Sequence, residues 1–227
     1  MKETTAGKKQ DSSLNVVIIL DRSGSMGDIQ QSTISAFNGL LEKQRKEPGV
    51  ETTFFSLYFF SDTVERLWSC VPIGRVTNIT QETYRPDGNT ALLDAMATAI
   101  KETEQQLQQG EVLVVVLTDG QENASRIYDY VTVRDYVLQK STENWEFIWL
   151  GSDAGSRHFA IGLGIPPENI ELFAVTEEGI RDSCGKISDS VSLKKQSGST
   201  SGWKGDTAAP ATPARKPAPG KKHSKRP

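Results

Sequence analysis

Short, unbroken apolar runs alternate along this chain with longer stretches in which apolar residues recur every three or four positions. Val16–Leu20 and Val112–Leu117 are purely apolar and rich in β-branched residues, the composition of strands covered on both faces. Thr53–Phe60 is aromatic and β-branched and predicts another strand. Ser61-Asp62 turns the chain into Val64–Val71, whose connection is too short for a crossover, so this strand is expected at an edge and antiparallel. Trp145–Leu150 and Ile170–Val175 complete the predicted strands, with strand one covering Leu14–Leu20. Between them, helical spacing predicts helices over Asp28–Lys46, Ala91–Gln109, Thr132–Ser141 (capped by Thr132), Ala154–Leu163 and Thr176–Ser192.

Alternating strands and helices imply an α/β fold with a doubly wound, mostly parallel sheet, one antiparallel edge strand and helices on both faces. In such sheets, ligands sit beyond the carboxyl ends of the strands. The first strand runs directly into Asp21-Arg22-Ser23-Gly24-Ser25, and the strand Val112–Leu117 ends in Thr118-Asp119-Gly120. Two acids and two hydroxyls are therefore expected on one rim. Pro86-Asp87-Gly88-Asn89-Thr90, a tight-turn composition, opens the helix from Ala91. Asp21, Ser23 and Ser25 offer oxygens at alternate positions with no His or Cys among them, which suits a hard divalent cation such as magnesium and not zinc.

The order Asp21-x-Ser23-x-Ser25, then Thr90, then Asp119 resembles the metal-ion-dependent adhesion site of the von Willebrand factor A domain, and the resemblance covers roughly residues 14–180. It implies a Rossmann-like fold with Mg2+ (or Mn2+ or Ca2+) held by Asp21, Ser23, Ser25, Thr90 and Asp119. The serines would bind directly, Thr90 and the two acids directly or through water. A protein partner would donate an Asp or Glu carboxylate to the remaining position. Two carboxylates at most neutralise a dication, and hydroxyls add no charge, so exchangeable water is left for an outside acid to replace. The resemblance is to small intracellular bacterial and phage members, which implies an adaptor working beside an ATPase or a stress- or phage-related complex. In several family members the last helix, here near Thr176–Ser192, shifts on ligand binding. Asp28 and Asp87 stand close enough in sequence for outer contacts, and Arg22 could steer an acidic ligand.

Charge divides the chain of 227 residues unevenly. Ten of the 26 Lys and Arg but two of the 29 Asp and Glu fall in 186–227, which leaves an acidic body of 16 basic and 27 acidic residues. An acidic body argues against nucleic-acid binding by the fold itself. The domain reading is a disordered leader at 1–13, the folded domain at 14–192 and a basic tail rich in Pro, Ala and Lys at 193–227, able to contact nucleic acid or another acidic surface. No run approaches a membrane span, no signal peptide is visible, and the two cysteines, Cys70 and Cys184, are expected as free thiols in the cytoplasm.

Enzymatic alternatives find less support. A magnesium-dependent phosphohydrolase of the haloacid dehalogenase pattern needs a second acid where Ser23 stands. A serine hydrolase has only His158 and His223 to draw on, and Gly179–Lys186 is not a phosphate-binding loop, having one residue too many before Lys186 and Ile187 after it. A metal-independent structural or assembly component would not need the five-residue set. The reading is a binding module, not an enzyme.

Overall fold

In the computed structural model of the chain, the described residues are 13–107 and 110–204. They form one six-stranded sheet between two helical layers. The strands are β1 (Leu14–Asp21), β2 (Thr53–Phe60), β3 (Val64–Pro72), β4 (Glu111–Leu117), β5 (Trp145–Gly151) and β6 (Ile170–Leu172), in the spatial order β3-β2-β1-β4-β5-β6. All neighbours pair in parallel except β2 with β3. The predicted fold class and its antiparallel edge are thus both present.

β1 lies at the centre, paired with β2 on one side and β4 on the other, and every one of its residues is buried. Its side chains alternate between two cores. Val16, Ile18 and Leu20 pack under α1 (Gln30–Lys46) and α5 (Glu177–Ser197), while Val17 and Ile19 pack under α2 (Leu92–Gln106), with α3 (Tyr130–Thr142) and α4 (Ala154–Gly162) on the same face. Burial on both faces explains why this strand carries no polar alternation. The strand order reverses between β1 and β4, so the crevice beyond their carboxyl ends is where a doubly wound sheet places a ligand. Asp21 ends β1 there, and Asp119 follows β4.

Several element ends differ from the sequence reading. A 3₁₀ turn, Gly24–Ile29, precedes α1, because the rim loop must turn before helical geometry begins. α3 starts earlier than predicted and is capped by Asp129, whose carboxylate accepts from the backbone N–H of Thr132; Thr132 is the capped residue, not the cap. β6 is three residues long, ending where the chain leaves the sheet toward Thr176, which does cap α5 through its side chain. α5 runs on to Ser197, five residues beyond its expected end, and Gly198 closes it in the left-handed conformation.

The segment after α5 folds back on the body. Thr200 donates to the Glu146 carboxylate, and Trp203, 4% exposed, donates its indole N–H to the Glu168 carbonyl at 3.3 Å. The folded part therefore continues to Lys204, past the division drawn at 192. Single anchors in a segment rich in Ser and Gly carry no periodic signal. The expected leader up to residue 12 and the tail from 205 lie outside the described residues. Among the described residues, no helix is long and apolar enough to cross a membrane.

Candidate metal centre

Three loops meet at the rim. The first leaves β1 at Asp21, whose backbone carbonyl is fixed by the buried Tyr84 hydroxyl at 2.7 Å. The second, 86–90, is clasped to the first by paired backbone bonds: Gly24 N–H to Gly88 O at 3.0 Å and Asp87 N–H to Arg22 O at 3.0 Å. Gly88 makes this possible. Its φ is +74°, and a Cβ there would lie 2.0 Å from an Asp62 carboxylate oxygen. The third loop follows β4 and carries Asp119.

Four of the five predicted residues are linked in one hydrogen-bonded chain. Asp21 is fully buried and accepts from the Ser23 backbone N–H at 2.7 Å through one oxygen and from the Thr118 hydroxyl at 2.5 Å through the other. The Ser23 and Ser25 hydroxyls lie 3.1 Å apart, and Ser25 donates to the Asp119 carboxylate at 2.6 Å. Thr90, 3% exposed, completes the set from the side: a Cβ added to Gly120 would lie 2.7 Å from its hydroxyl and 3.4 Å from Asp21 Oδ2, so both oxygens crowd the same face of that glycine.

Thr90 is held by residues that the sequence did not single out. Its backbone N–H donates to the Asn123 side chain at 2.8 Å, and its carbonyl accepts from the Asn123 and Ala124 N–H groups. The same loop caps α2 from outside. Glu122 accepts from Leu93 N–H at 2.8 Å, and the Ser125 hydroxyl accepts from Asp94 N–H at 3.0 Å. Asp94 returns the bond, taking the N–H groups of Arg126, Ile127 and Tyr128 at 2.8–3.0 Å. These polar residues read as ordinary loop composition, and their reciprocity needs the fold to be seen. Thr118 had a weak signal, its place directly before Asp119.

The electrostatics of the cluster are one-sided. Burial pushes the Asp21 carboxyl above its ordinary range, against the hydrogen bonds from Ser23 and Thr118, and repulsion from Asp119 adds to the shift. Burial likewise raises Asp119, against its bond from Ser25. Arg22 does not relieve them: its guanidinium pairs with Glu65 at 2.9 Å, donates to the Thr83 carbonyl and lies over the Phe59 ring. Asp87 accepts from the next backbone N–H, Asp28 is exposed, and His158 is engaged with the Ala154 carbonyl in α4.

The donor set fits a hard dication. Among the described residues no three His, Cys, Asp or Glu side chains converge as a metal-holding group, so a cation held here would need the hydroxyls as well. Adjacent ligands on a magnesium octahedron with bonds of about 2.1 Å lie about 3.0 Å apart; the contacts of 3.1 and 2.6 Å along the Ser23–Ser25–Asp119 edge bracket that value. Two raised carboxyls with, among the described residues, no basic side chain paired to them would be relieved by a bound cation.

Solved structures share this architecture. The PilB minor pilin from Streptococcus sanguinis superposes with a TM-score of 0.57 at 14% identity over 85% of this chain. The pilus adhesin SpaC from Lactobacillus rhamnosus GG, in its open conformation, gives 0.62 at 12% over 78%. Proximal thread matrix protein 1 from the mussel byssus, solved with a zinc-occupied MIDAS motif, gives 0.57 at 15% over 78%. The chain spans 64%, 30% and 45% of those proteins respectively. At such identities the likeness is one of fold. No curated protein sequence matches the chain. The model of the von Willebrand factor type A domain matches residues 15–176, most of the chain, and the chain belongs to that family.

Proposed function

We propose that this domain is a metal-dependent protein-binding module, which takes an acidic side chain of a partner through a divalent cation at the β1–β4 rim. Asp21, Ser23, Ser25, Thr90 and Asp119 would hold the ion, magnesium being the best match to the oxygen set. A bound dication supplies a Lewis-acidic position for an incoming carboxylate. The protein's own contribution is positional. Thr118 and the Ser23 N–H fix both oxygens of Asp21, which therefore acts from behind the serines. Ser25, exposed at the rim, and Asp119 face outward. Asn123 sets the height of Thr90.

The observation that carries this reading is the hydrogen-bonded cluster holding two buried-to-half-buried acids that, among the described residues, have no cation paired to them. We read the site as one for binding rather than catalysis, with the one described histidine, His158, hydrogen-bonded within its own helix. A cytoplasmic setting belongs to the same proposal and is supported by two unpaired cysteines, Cys184 being buried with its thiol pushed up to about 12. The reading leaves the partner open within the adaptor class, an ATPase or a stress- or phage-related complex among them. The test is a titration of the full chain with Mg2+, Mn2+, Ca2+ and Zn2+, followed by thermal melting, then capture from native lysate in magnesium or in EDTA. Stabilisation by Mg2+ that is lost in Asp21→Ala and Asp119→Ala, with partners retained only in magnesium, is the expected result. Capture unchanged by EDTA would defeat the proposal.

A further inference from the structure

Directly beside the oxygen cluster lies a small pocket of about 150 Å³, floored by Trp149 and Leu92 and walled by Phe159, Gly120, Gly155 and Gln121. Gly120 is shared: its one face carries the Thr90 and Asp21 oxygens, and its backbone borders the pocket. The pocket's fixed polar groups are already engaged. The Trp149 indole N–H donates to Ser156 Oγ at 2.9 Å, Ser156 N–H donates to Asp153, and the Glu122 carboxylate is turned inward onto Leu93, Ala124 and Ser125. Trp149 is fully buried and Leu92 nearly so, with the Phe159 ring tilted against the indole at 6.1 Å. An occupant here finds aromatic and aliphatic walls and no waiting donor or acceptor from those groups, which favours an apolar group over a polar one. A cavity of this size takes a group about as large as benzene.

We infer that this pocket receives an apolar side chain of leucine size adjacent to the metal-bound acid, so that the partner is a polypeptide presenting Asp or Glu flanked by Leu, Ile or a similar residue. The inference rests on the acid-on-metal reading and adds to it the neighbour that confers specificity. Continuity decides the occupant: the one glycine separating acid site from pocket leaves the two within reach of adjacent residues on one strand. The acid gives attachment, and the pocket selects among acids. Gly155 has no side chain to fill it, and the Gln121 amide, 3.1 Å from where a Gly155 Cβ would stand, lies at its edge.

The test compares two blocked tetrapeptides, one with Glu flanked by Gly and one with Glu flanked by Leu, titrated into the full chain in magnesium. The readout is the NMR signal of the Trp149 indole N–H. The Leu-flanked peptide is expected to bind about tenfold tighter, a fraction of a full leucine burial, and to move the indole signal, which the Gly-flanked peptide leaves in place. Gly155→Leu, which fills the pocket, should reduce the Leu-flanked peptide to the affinity of the Gly-flanked one without changing the latter. Phe159→Ala, which widens it, should shift preference toward a Phe-flanked peptide, and it serves if Gly155→Leu misfolds. Equal affinities for the two peptides in the wild type, or an unmoved indole signal, would overturn the inference while leaving the acid site intact. Failure of both peptides to bind in magnesium overturns the acid-on-metal reading, and the inference with it.

Discussion

Acidic residues gather at both ends of the central strands, and the two ends handle them in opposite ways. At the amino ends of β4 and β5, Glu111 and Glu146 converge on Lys194 of α5, whose side chain is 2% exposed and whose ammonium lies 3.3 and 2.7 Å from them. Burial works against the Glu146 carboxylate, but hydrogen bonds from Lys194 and Thr200 outweigh it and hold the group below its ordinary range. At the carboxyl ends, Asp21 and Asp119 have hydroxyls for neighbours and, among the described residues, no cation paired to them, and both are raised. The one arginine in that loop is committed to Glu65. An end closed by the protein's own cation is finished on folding. An end assembled from acids and hydroxyls carries a cost that a bound cation would remove.

The largest expected effect lies at the closed end. Lys194→Met leaves Glu146 and Glu111 without their cation and should lower stability by about 3 kcal/mol, measured by urea denaturation. If the loss is negligible, the pairing is ornamental and the contrast collapses. At the open end the order reverses. Asp21→Asn keeps the shape, removes a strained charge and should leave metal-free stability unchanged or improved, while abolishing stabilisation by magnesium, expected at about 1–3 kcal/mol at ion concentrations well above Kd.

The pH dependences should also oppose each other. The folded-state carboxyls of Asp21 and Asp119 are raised, so their favourable contribution is complete below the ordinary carboxylate range and is lost as pH rises through the raised values. In EDTA, Asp21→Asn should therefore gain on the wild type as pH rises across that window and then level off. Glu146 is depressed, so its contribution is present above the ordinary glutamate value and lost as pH falls through its folded value. The Lys194→Met defect should accordingly shrink in acid. Parallel pH profiles for the two variants would contradict the comparison. The smallest effect belongs to Arg22→Ala, about 1 kcal/mol or less of stability with no change in the magnesium response, because its guanidinium serves Glu65, Thr83 and Phe59 and not the acids.

The open end was far more legible in sequence than the closed one. Asp21, Ser23 and Ser25 sit within five residues at the end of an apolar run, and Asp119 ends another, so strand prediction alone puts them on one rim. Thr90 could be placed only by resemblance, since its position depends on Asn123 and on a backbone clasp between Gly24 and Gly88. Lys194 with Glu146 and Glu111 is invisible in one dimension: three charged residues 35 and 48 positions apart in sequence look like solvated surface until α5 lies across the sheet. For the same reason Thr200 and Trp203 read in sequence as part of the basic tail. Local spacing carries strands and helices, whereas cross-element pairing is written only in the folded arrangement.

The return of the chain around Trp203 has a mechanical meaning. α5 extends for 21 residues, about 30 Å, from its cap at Thr176 to the foot of the sheet. Its far end is bolted there by Lys194, and the segment beyond it is seated by Thr200 and Trp203. Sliding this helix along its axis would draw the ammonium from two carboxylates and unseat an indole in the same stroke. A shift of α5 therefore carries the cost of both anchors together.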